Sequence, residues 1–234
     1  GLYEELNNRG INYLSYFQVD NWAVKVADPR FIGYHVLNKA EMSSKIIRKN
    51  SLREGVGVHC ICDGEYRVIE YSELDIYPQL LELNPDGSIK HYAGNPAMHI
   101  ITLDFIKKVY SKFTEFPWHR AHKKISYIDD SGNLIKPDKP NGYKFETFIF
   151  DALRYISHPP VAVEIERKGE YTPIKQLTGE NSVESARRSM TQLWAEWLKK
   201  CGYSLNEDIL QNEYFIEISP IFALTEDEFL RKSK

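Results

Sequence analysis

Apolar positions along the chain recur with two spacings, and together they predict strands that alternate with helices. An aromatic and aliphatic run at 13–19 predicts a buried strand, and Asp28-Pro29 predicts the start of a helix over 29–38. Residues 44–49 are predicted as the next strand. A strand, a short helix and a second strand favour a right-handed parallel crossover. The Asp63-Gly64 pair between two β-rich runs predicts a tight hairpin.

The second half of the chain continues this alternation. The clearest helical pattern covers 182–201, where apolar residues share one face and Gly202 follows as the stop signal. A further apolar stripe predicts a helix over 145–157, and Tyr214–Ile218 is predicted as the last strand. Because hairpins interrupt the alternation, we expect an α/β protein with a mixed sheet, helices on its faces, and one domain or part of one.

Composition narrows the classes of function. The chain has 234 residues, of which 42% are hydrophobic, so it can bury a core. A net charge of −3 argues against a protein that mainly binds the nucleic-acid backbone. No apolar run approaches the ~20 residues of a membrane span. Three cysteines are too few for a disulfide framework, so we expect a reducing compartment, the cytoplasm. From the charge and the short apolar runs we expect neither nucleic-acid nor membrane partners.

Four polar residues stand where strands or turns end. Asp20 follows the first predicted strand, and ligands of open α/β sheets bind beyond the carboxyl ends of strands, although a simple turn is the alternative. Glu70 and Tyr71 lie on the second strand of the hairpin, where a carboxylate beside an aromatic ring suits sugar hydroxyls or reflects ordinary edge-strand polarity. Asn95 lies in a Gly-Asn turn that can direct an amide into a pocket or simply turn the chain.

Lysines form a second candidate feature. Lys136, Lys139 and Lys144 lie in a loop rich in proline and glycine, and Lys175 follows a Tyr-Thr-Pro-Ile run. Point positive charges beside permissive backbone suit phosphate groups, whereas a solvated loop is the plain alternative. The segment Trp118–Lys124 is interpreted as a solvated basic surface, and a metal site at its two histidines as the weaker alternative.

The order of several segments makes a family resemblance visible. The segments that carry it include 19–33, 56–58, 68–73, 93–95, 134–151, 171–175 and 217–220. Within them the Lys-Pro-Asp-Lys-Pro-Asn-Gly run at 136–142 is long and unusual. Over about 200 residues the sequence resembles the eukaryotic UDP-N-acetylglucosamine pyrophosphorylases, which are UTP-dependent sugar-1-phosphate uridylyltransferases.

The resemblance implies a fold, a reaction and a set of site residues. The fold would be Rossmann-like, with a mixed, mainly parallel sheet flanked by helices, as in nucleotide-diphospho-sugar transferases, and incomplete here. The reaction would join UTP and N-acetylglucosamine 1-phosphate into UDP-N-acetylglucosamine and pyrophosphate with Mg²⁺. The resemblance implies that Asp20 lies beside the UTP phosphates and Mg²⁺, that Lys144 contacts the UTP phosphates, and that Lys175 contacts the sugar phosphate. It also implies that Gly57 allows close approach of the amino sugar and that Glu70 and Tyr71 hold the sugar hydroxyls. Asn95 would bind the sugar or its N-acetyl group, and Phe148 and Phe150 would form the wall of the N-acetyl pocket.

The resemblance is also incomplete. The family's Gly-rich phosphate loop and its uracil-contacting glutamine do not occur in these 234 residues. We therefore expect residues 1–234 to be the second half of a catalytic domain, with the N-terminal half as its missing partner, the C-terminal β domain absent and little activity alone. Two alternatives stay open: a UDP-sugar-binding fragment without catalysis, or a sister enzyme for N-acetylgalactosamine or glucose 1-phosphate.

Overall fold

The chain forms two compact units in a computed structural model that describes residues 1–206 and 215–233. The first unit comprises 1–16 and 29–163, and the second comprises 17–28 and the described part of 164–234. The segment 17–28 therefore belongs to a different unit from the residues on either side of it. No helix in the described residues is long and apolar enough to cross a membrane.

The predicted alternation of strands and helices holds only at the start of the chain, because runs of five strands follow the second and the third α-helix. The α-helices are α1 (Leu2–Asn8), α2 (Pro29–Leu37), α3 (Leu103–Tyr110), α4 (Val183–Lys200) and α5 (Glu226–Lys232). The strands are β1 (Tyr13–Tyr16), β2 (Met42–Arg48), β3 (Gly57–Cys62), β4 (Glu65–Ile69), β5 (Ala93–Asn95), β6 (His99–Thr102), β7 (His119–Lys123), β8 (Tyr127–Ile128), β9 (Leu134–Ile135), β10 (Gly142–Glu146) and β11 (Val161–Ile165). Short 3-10 helices cover Tyr71–Glu73, Pro78–Leu81, Phe113–Glu115 and Ile149–Tyr155.

The main sheet is built around β2 and the two strands that pair with it. β5 and β6 pair antiparallel with successive parts of β2, in the registers Ile47↔Gly94 and Ser44↔His99. β1 pairs antiparallel with β6, β3 pairs antiparallel with β5, and β4 completes the hairpin with β3. β11 joins β2 as well. Since β1 and β2 are both antiparallel to β6, they run in the same direction with β6 between them.

The prediction of a mixed α/β fold is confirmed, but the expectation of a mainly parallel sheet is wrong for the described pairings. The β1–β6, β2–β5, β2–β6, β3–β4 and β3–β5 pairs are all antiparallel. The tight turn at Asp63-Gly64 requires β3 and β4 to be antiparallel, whereas the other pairs join strands that are distant in the sequence. The predicted crossover does give two strands of the same direction, β1 and β2, but these strands are not hydrogen-bonded neighbours.

The first predicted strand is shorter and more exposed than its composition indicated. β1 ends at Tyr16, and Val19 is 96% exposed. β1 lies at an end of the strand order and pairs only with β6 there, so its aromatic residues lack cover on one side. Asp20 therefore follows the strand by four residues instead of ending it.

Helix α4 confirms the strongest helical prediction, and the Ser182 hydroxyl caps it by accepting the Ser185 N–H at 3.2 Å. The predicted helix over 145–157 is wrong, because β10 extends to Glu146 and the following residues form the 3-10 helix Ile149–Tyr155. The predicted strand Tyr214–Ile218 lies partly outside the described residues, and 215–218 form no strand.

The core of the first unit lies between the sheet and the 3-10 helix Ile149–Tyr155. Met42 and Leu153 are both completely buried at its centre. The buried residues that form this cluster are Met42, Val68, Ile101, Phe105, Val109, Phe116, Phe150, Ala152 and Leu153. Packing against it fixes the chain at 148–151, where two of the candidate site residues lie.

Candidate functional site

Three of the predicted sugar-binding residues lie side by side at one end of the β3–β4–β5 region. Gly57 stands opposite Asn95 in the sheet register. A Cβ placed on Gly57 would lie 2.8 Å from Val68 Cγ1 and 3.0 Å from Glu70 Oε1. Glycine therefore lets the Glu70 carboxylate lie against the backbone of β3. Gly57, Glu70 and Asn95 thus form one group on the first unit, in which Gly57 and Asn95 are buried and Glu70 is partly exposed.

Asn95 is held by its own turn. Its side chain is 7% exposed, and its Oδ1 accepts the N–H of Ala97 at 3.0 Å. Ala97 has a φ of 54°, which is the left-handed conformation that such an Asx-type bond supports. The amide oxygen thus holds the turn, and the same side chain also interacts with the buried His59.

Glu70 and Tyr71 lie where β4 passes into a 3-10 turn, so the second strand of the predicted hairpin ends before them. The Glu70 N–H donates to Glu73 Oε2 at 3.2 Å, and the Glu73 N–H donates back to the Glu70 carbonyl at 2.9 Å. Tyr71 is 47% exposed on this turn. The reciprocal bonds hold the turn in a shape that presents the phenol to solvent.

Phe148 and Phe150 form a stacked aromatic pair. Their ring centroids lie 4.8 Å apart with an interplanar angle of 17°. Phe150 is buried in the core of the first unit, whereas Phe148 is only partly buried. The pair thus presents an apolar surface anchored by the core, which suits the wall that the resemblance implies.

His119 is the residue of this region that the sequence-based interpretation missed. Its Nε2 lies 2.9 Å from Asp151 Oδ2 and its Nδ1 lies 3.2 Å from Glu73 Oε1. Burial opposes the charge on the ring, but the hydrogen bonds and negative charges of Asp151 and Glu73 outweigh it and raise the pKa of His119 to about 10. The interpretation of this segment as a solvated surface is therefore wrong for His119. It holds for His122, which is exposed and stacks on Tyr143.

The second unit places Asp20 beside Lys175. The Asp20 carbonyl accepts the Ile174 N–H at 2.8 Å, which fixes the two segments against each other. Lys175 Nζ then lies 3.9 Å from Asp20 Oδ2, a long ion pair whose side chains are partly exposed. Asp20 Oδ1 is buried and accepts no hydrogen bond from the described ranges 1–206 and 215–233. A buried acceptor of this kind requires a donor or a cation.

Asn21 explains why Asp20 and Lys175 meet. It is 3% exposed, and its Nδ2 donates to the Glu170 carbonyl at 2.8 Å. Its Oδ1 accepts the Thr172 N–H at 2.9 Å and the Ala23 N–H at 3.3 Å. This side chain therefore joins 20–23 to 170–172. The sequence resemblance includes Asn21 but gives it no role.

Lys144 lies on β10, within the first unit. Its Nζ lies 2.6 Å from Glu146 Oε1, and its side chain is 60% exposed. In the β7–β10 register Lys144 stands opposite Ala121 and Glu146 opposite His119, so all four share one face of this two-stranded sheet. An exposed ion pair of this kind contributes little stability, so the ammonium can exchange its partner for a phosphate.

The described residues suit a metal ion that needs few protein ligands, but not one that needs three or more. Residues 1–206 and 215–233 contain no group of three or more histidine, cysteine or acidic side chains that could hold a metal ion. Mg²⁺ commonly needs only one or two protein carboxylates, because substrate phosphates and water complete its octahedral shell. Asp20, with one buried and unbonded carboxylate oxygen, fits that requirement.

The fold, the group formed by Gly57, Glu70 and Asn95, and the pair formed by Asp20 and Lys175 indicate a class of protein, and comparison with solved structures supports that class. A crystal structure of a protein from Entamoeba histolytica, described as a UDP-N-acetylglucosamine pyrophosphorylase, is similar with a TM-score of 0.84 and 28% identity. The match covers 99% of this chain and 56% of that protein. The fold is thus that of the UDP-sugar pyrophosphorylases.

Sequence comparison then identifies the family. The family model for UTP--glucose-1-phosphate uridylyltransferase matches residues 1–225, and the chain belongs to this family. A Caenorhabditis elegans protein named "Probable UDP-N-acetylglucosamine pyrophosphorylase" is 40% identical over 83% of this chain and 40% of its own length. The human "UDP-N-acetylhexosamine pyrophosphorylase-like protein 1" is 37% identical over 85% of this chain and 39% of its own length. The chain thus spans about 40% of the length of these relatives, and the expected family membership is confirmed.

Proposed function

We propose that this chain carries sugar-recognising and phosphate-binding residues of a UDP-N-acetylglucosamine pyrophosphorylase. The observation that carries the proposal is the contact of Glu70 with Gly57, directly opposite Asn95 in the sheet. This group joins a carboxylate to an amide, as recognition of sugar hydroxyls and an N-acetyl group requires. Family membership and the names of the relatives support the same reaction.

In the proposed reaction, a phosphate oxygen of N-acetylglucosamine 1-phosphate attacks the α-phosphorus of UTP. The bond between the α-phosphorus and the bridging oxygen breaks, and pyrophosphate leaves with that electron pair. No covalent intermediate with the protein is needed. The work of the protein is to align two anionic substrates and to reduce their mutual repulsion, and both effects lower the barrier.

The first unit would bind the sugar. Glu70 and the Tyr71 phenol would hold the sugar hydroxyls, and the absence of a side chain at Gly57 would allow the ring to approach the backbone. The Asn95 amide would contact the N-acetyl group. The N-acetyl methyl group would rest against the pair formed by Phe148 and Phe150.

Two lysines would bind phosphate. Lys175 would contact the sugar phosphate, and its 3.9 Å separation from Asp20 leaves its ammonium able to reorient. Lys144 would contact UTP phosphates by exchanging Glu146 for a phosphate oxygen. Asp20 would hold Mg²⁺, which when bound supplies positive charge at the phosphates. The nucleotide-diphospho-sugar transferase fold and the cytoplasmic location stay predictions, the first of which the match to the Entamoeba structure supports.

A turnover assay with a panel of sugar 1-phosphates tests the proposal. Purified chain would be incubated with UTP, Mg²⁺ and the 1-phosphate of N-acetylglucosamine, N-acetylgalactosamine or glucose, and pyrophosphate release would be measured. We expect release to be slow, because these 234 residues contain no Gly-rich phosphate loop. We expect it to be fastest with an N-acetyl sugar, because the proposed site recognises the N-acetyl group. Fastest release with glucose 1-phosphate would contradict the proposed specificity.

Two alternatives have observations in their favour. The lack of a phosphate loop in these 234 residues favours a UDP-sugar-binding fragment without catalysis, which would bind UDP-N-acetylglucosamine in calorimetry and release no pyrophosphate above background. The name of the human relative refers to N-acetylhexosamine, which keeps N-acetylgalactosamine as a substrate. The sugar 1-phosphate panel separates these outcomes.

A further inference from the structure

A chain of hydrogen bonds connects the two parts of the proposed sugar site. His119 lies between Glu73 and Asp151, and we refer to these three residues as the His119 bridge. At one end, Glu73 Oε2 accepts the Glu70 N–H at 3.2 Å. At the other end, Asp151 Oδ2 accepts the Phe148 N–H at 3.3 Å. The His119 bridge thus joins the backbone beside the hydroxyl-binding residues to the backbone of the aromatic wall.

The chemistry of imidazole explains why histidine suits this position. A protonated ring has an N–H at each nitrogen and can donate to two carboxylates at once, whereas a neutral ring has only one N–H. Loss of the second proton would leave a ring nitrogen facing a carboxylate oxygen with no hydrogen between them. The two flanking carboxylates keep the ring charged, which the raised pKa of His119 reflects.

Ring packing couples the His119 bridge to the aromatic wall by a second route. The centroid of the His119 ring lies 4.8 Å from that of Phe148 and 6.4 Å from that of Phe150. The imidazolium therefore contacts the exposed member of the aromatic pair as well as holding its backbone. A shift of the ring would move the wall and the carboxylate turn together.

We propose that His119 is a positioning residue that sets the spacing between the Glu70–Tyr71 turn and the Phe148–Phe150 wall, and that it thereby selects an N-acetyl sugar. The inference rests on the proposed function, because it assumes that both parts contact the sugar. A purely structural His119 bridge would stabilise the first unit without affecting which sugar is preferred. The two roles therefore differ in a measurable quantity, the ratio of affinities for sugars with and without the N-acetyl group.

The test compares His119→Asn with His122→Asn. Both histidines lie on β7, but His122 is exposed and stacks on Tyr143. Calorimetry would measure the affinity of each variant for UDP-N-acetylglucosamine and for UDP-glucose. We expect His119→Asn to weaken UDP-N-acetylglucosamine about tenfold, the scale of one charge-assisted hydrogen bond, and UDP-glucose much less. His122→Asn should bind both as the unmutated chain does.

A second variant keeps the test decisive if His119→Asn fails to fold. Glu73→Gln retains an acceptor oxygen for the Glu70 N–H but removes the charge, so it should weaken selectivity less than His119→Asn does. Circular dichroism would establish the folded fraction before each titration. Equal losses for both sugars, or no loss, in the folded variants would overturn the inference alone. Failure of the unmutated chain to bind either nucleotide sugar would instead overturn the proposed function, and the inference with it.

Discussion

The substitution Gly57→Ala probes the closest packing in the candidate site. The added methyl group would lie 2.8 Å from Val68 Cγ1, 3.0 Å from Glu70 Oε1 and 3.4 Å from the Ile69 carbonyl oxygen. Val68 is 3% exposed within the core, so it has little room to yield. Overpacking of this kind typically costs about 1–3 kcal/mol. For a chain of this size that cost lowers Tm by roughly 2–12 °C.

The same substitution should weaken sugar binding, because the Glu70 carboxylate must move away from the new methyl group. Loss of one hydrogen bond to a charged group corresponds to about a tenfold or greater loss of affinity. Thermal unfolding followed by circular dichroism and titration with UDP-N-acetylglucosamine would measure the two effects separately.

Gly33→Ala is the matched control for this experiment. Gly33 lies within α2, and a Cβ there would meet no atom within 4 Å. Alanine in a helix interior is favoured over glycine, so this variant should gain about 0.5–1 kcal/mol and bind sugar normally. A Gly57→Ala variant with unchanged Tm and unchanged affinity would refute the packing argument and the place of Glu70 in the site.

Three further predictions concern Lys175, Asp20 and His35. Lys175→Ala in the complete enzyme should lower kcat for uridylyl transfer more than it weakens nucleotide binding, and an unchanged kcat in steady-state kinetics would contradict its role. Asp20→Asn should reduce the gain in UTP affinity that Mg²⁺ gives, and calorimetry that shows an equal gain in both proteins would exclude Asp20 as a ligand. Burial lowers the pKa of His35 to about 4, so the unfolded chain takes up its proton below pH ~6.5 while the folded chain does not. Urea unfolding should therefore show a loss of about 2 kcal/mol between pH 7 and pH 5 from this residue. His35→Gln should reduce that dependence by about this amount and leave the part due to the buried His59 and His99, whose pKa values burial also lowers. An identical pH profile would show the prediction to be wrong.

Features with local causes could be predicted from the sequence. The β3–β4 hairpin follows from Asp63-Gly64, whose φ angles of 53° and 80° are those that a primed turn requires. Helix α4 follows from an apolar stripe that ends just before Gly202. In both cases the residues that decide the structure lie within the element itself.

Features that depend on distant partners could not be predicted in this way. The carboxylates that bury His119 lie 46 and 32 residues away, so its segment resembled an ordinary basic surface. The partners of Asn21 lie about 150 residues away, at separations of 149 and 151. The antiparallel sheet similarly depends on β6 lying between β1 and β2, which no local pattern encodes.

The wrong prediction of a helix over 145–157 has a different cause. Phe145, Phe148 and Ile149 fit a helical stripe, but Phe145 pairs with Arg120 in the β7–β10 sheet. The Asp151 carboxylate then accepts the Phe148 N–H and the His119 N–H together. These tertiary bonds outweigh a helical preference that amounts to a few tenths of a kcal/mol per residue.

The most direct test of the account is a calorimetric titration of the unmutated chain with UDP-N-acetylglucosamine and with UDP-glucose, repeated with Asn95→Ala. We predict saturable binding that favours the N-acetyl sugar, and we predict that Asn95→Ala removes this preference. Equal affinity for the two nucleotide sugars, or a preference that survives Asn95→Ala, would contradict the claim that this unit recognises an N-acetylated sugar.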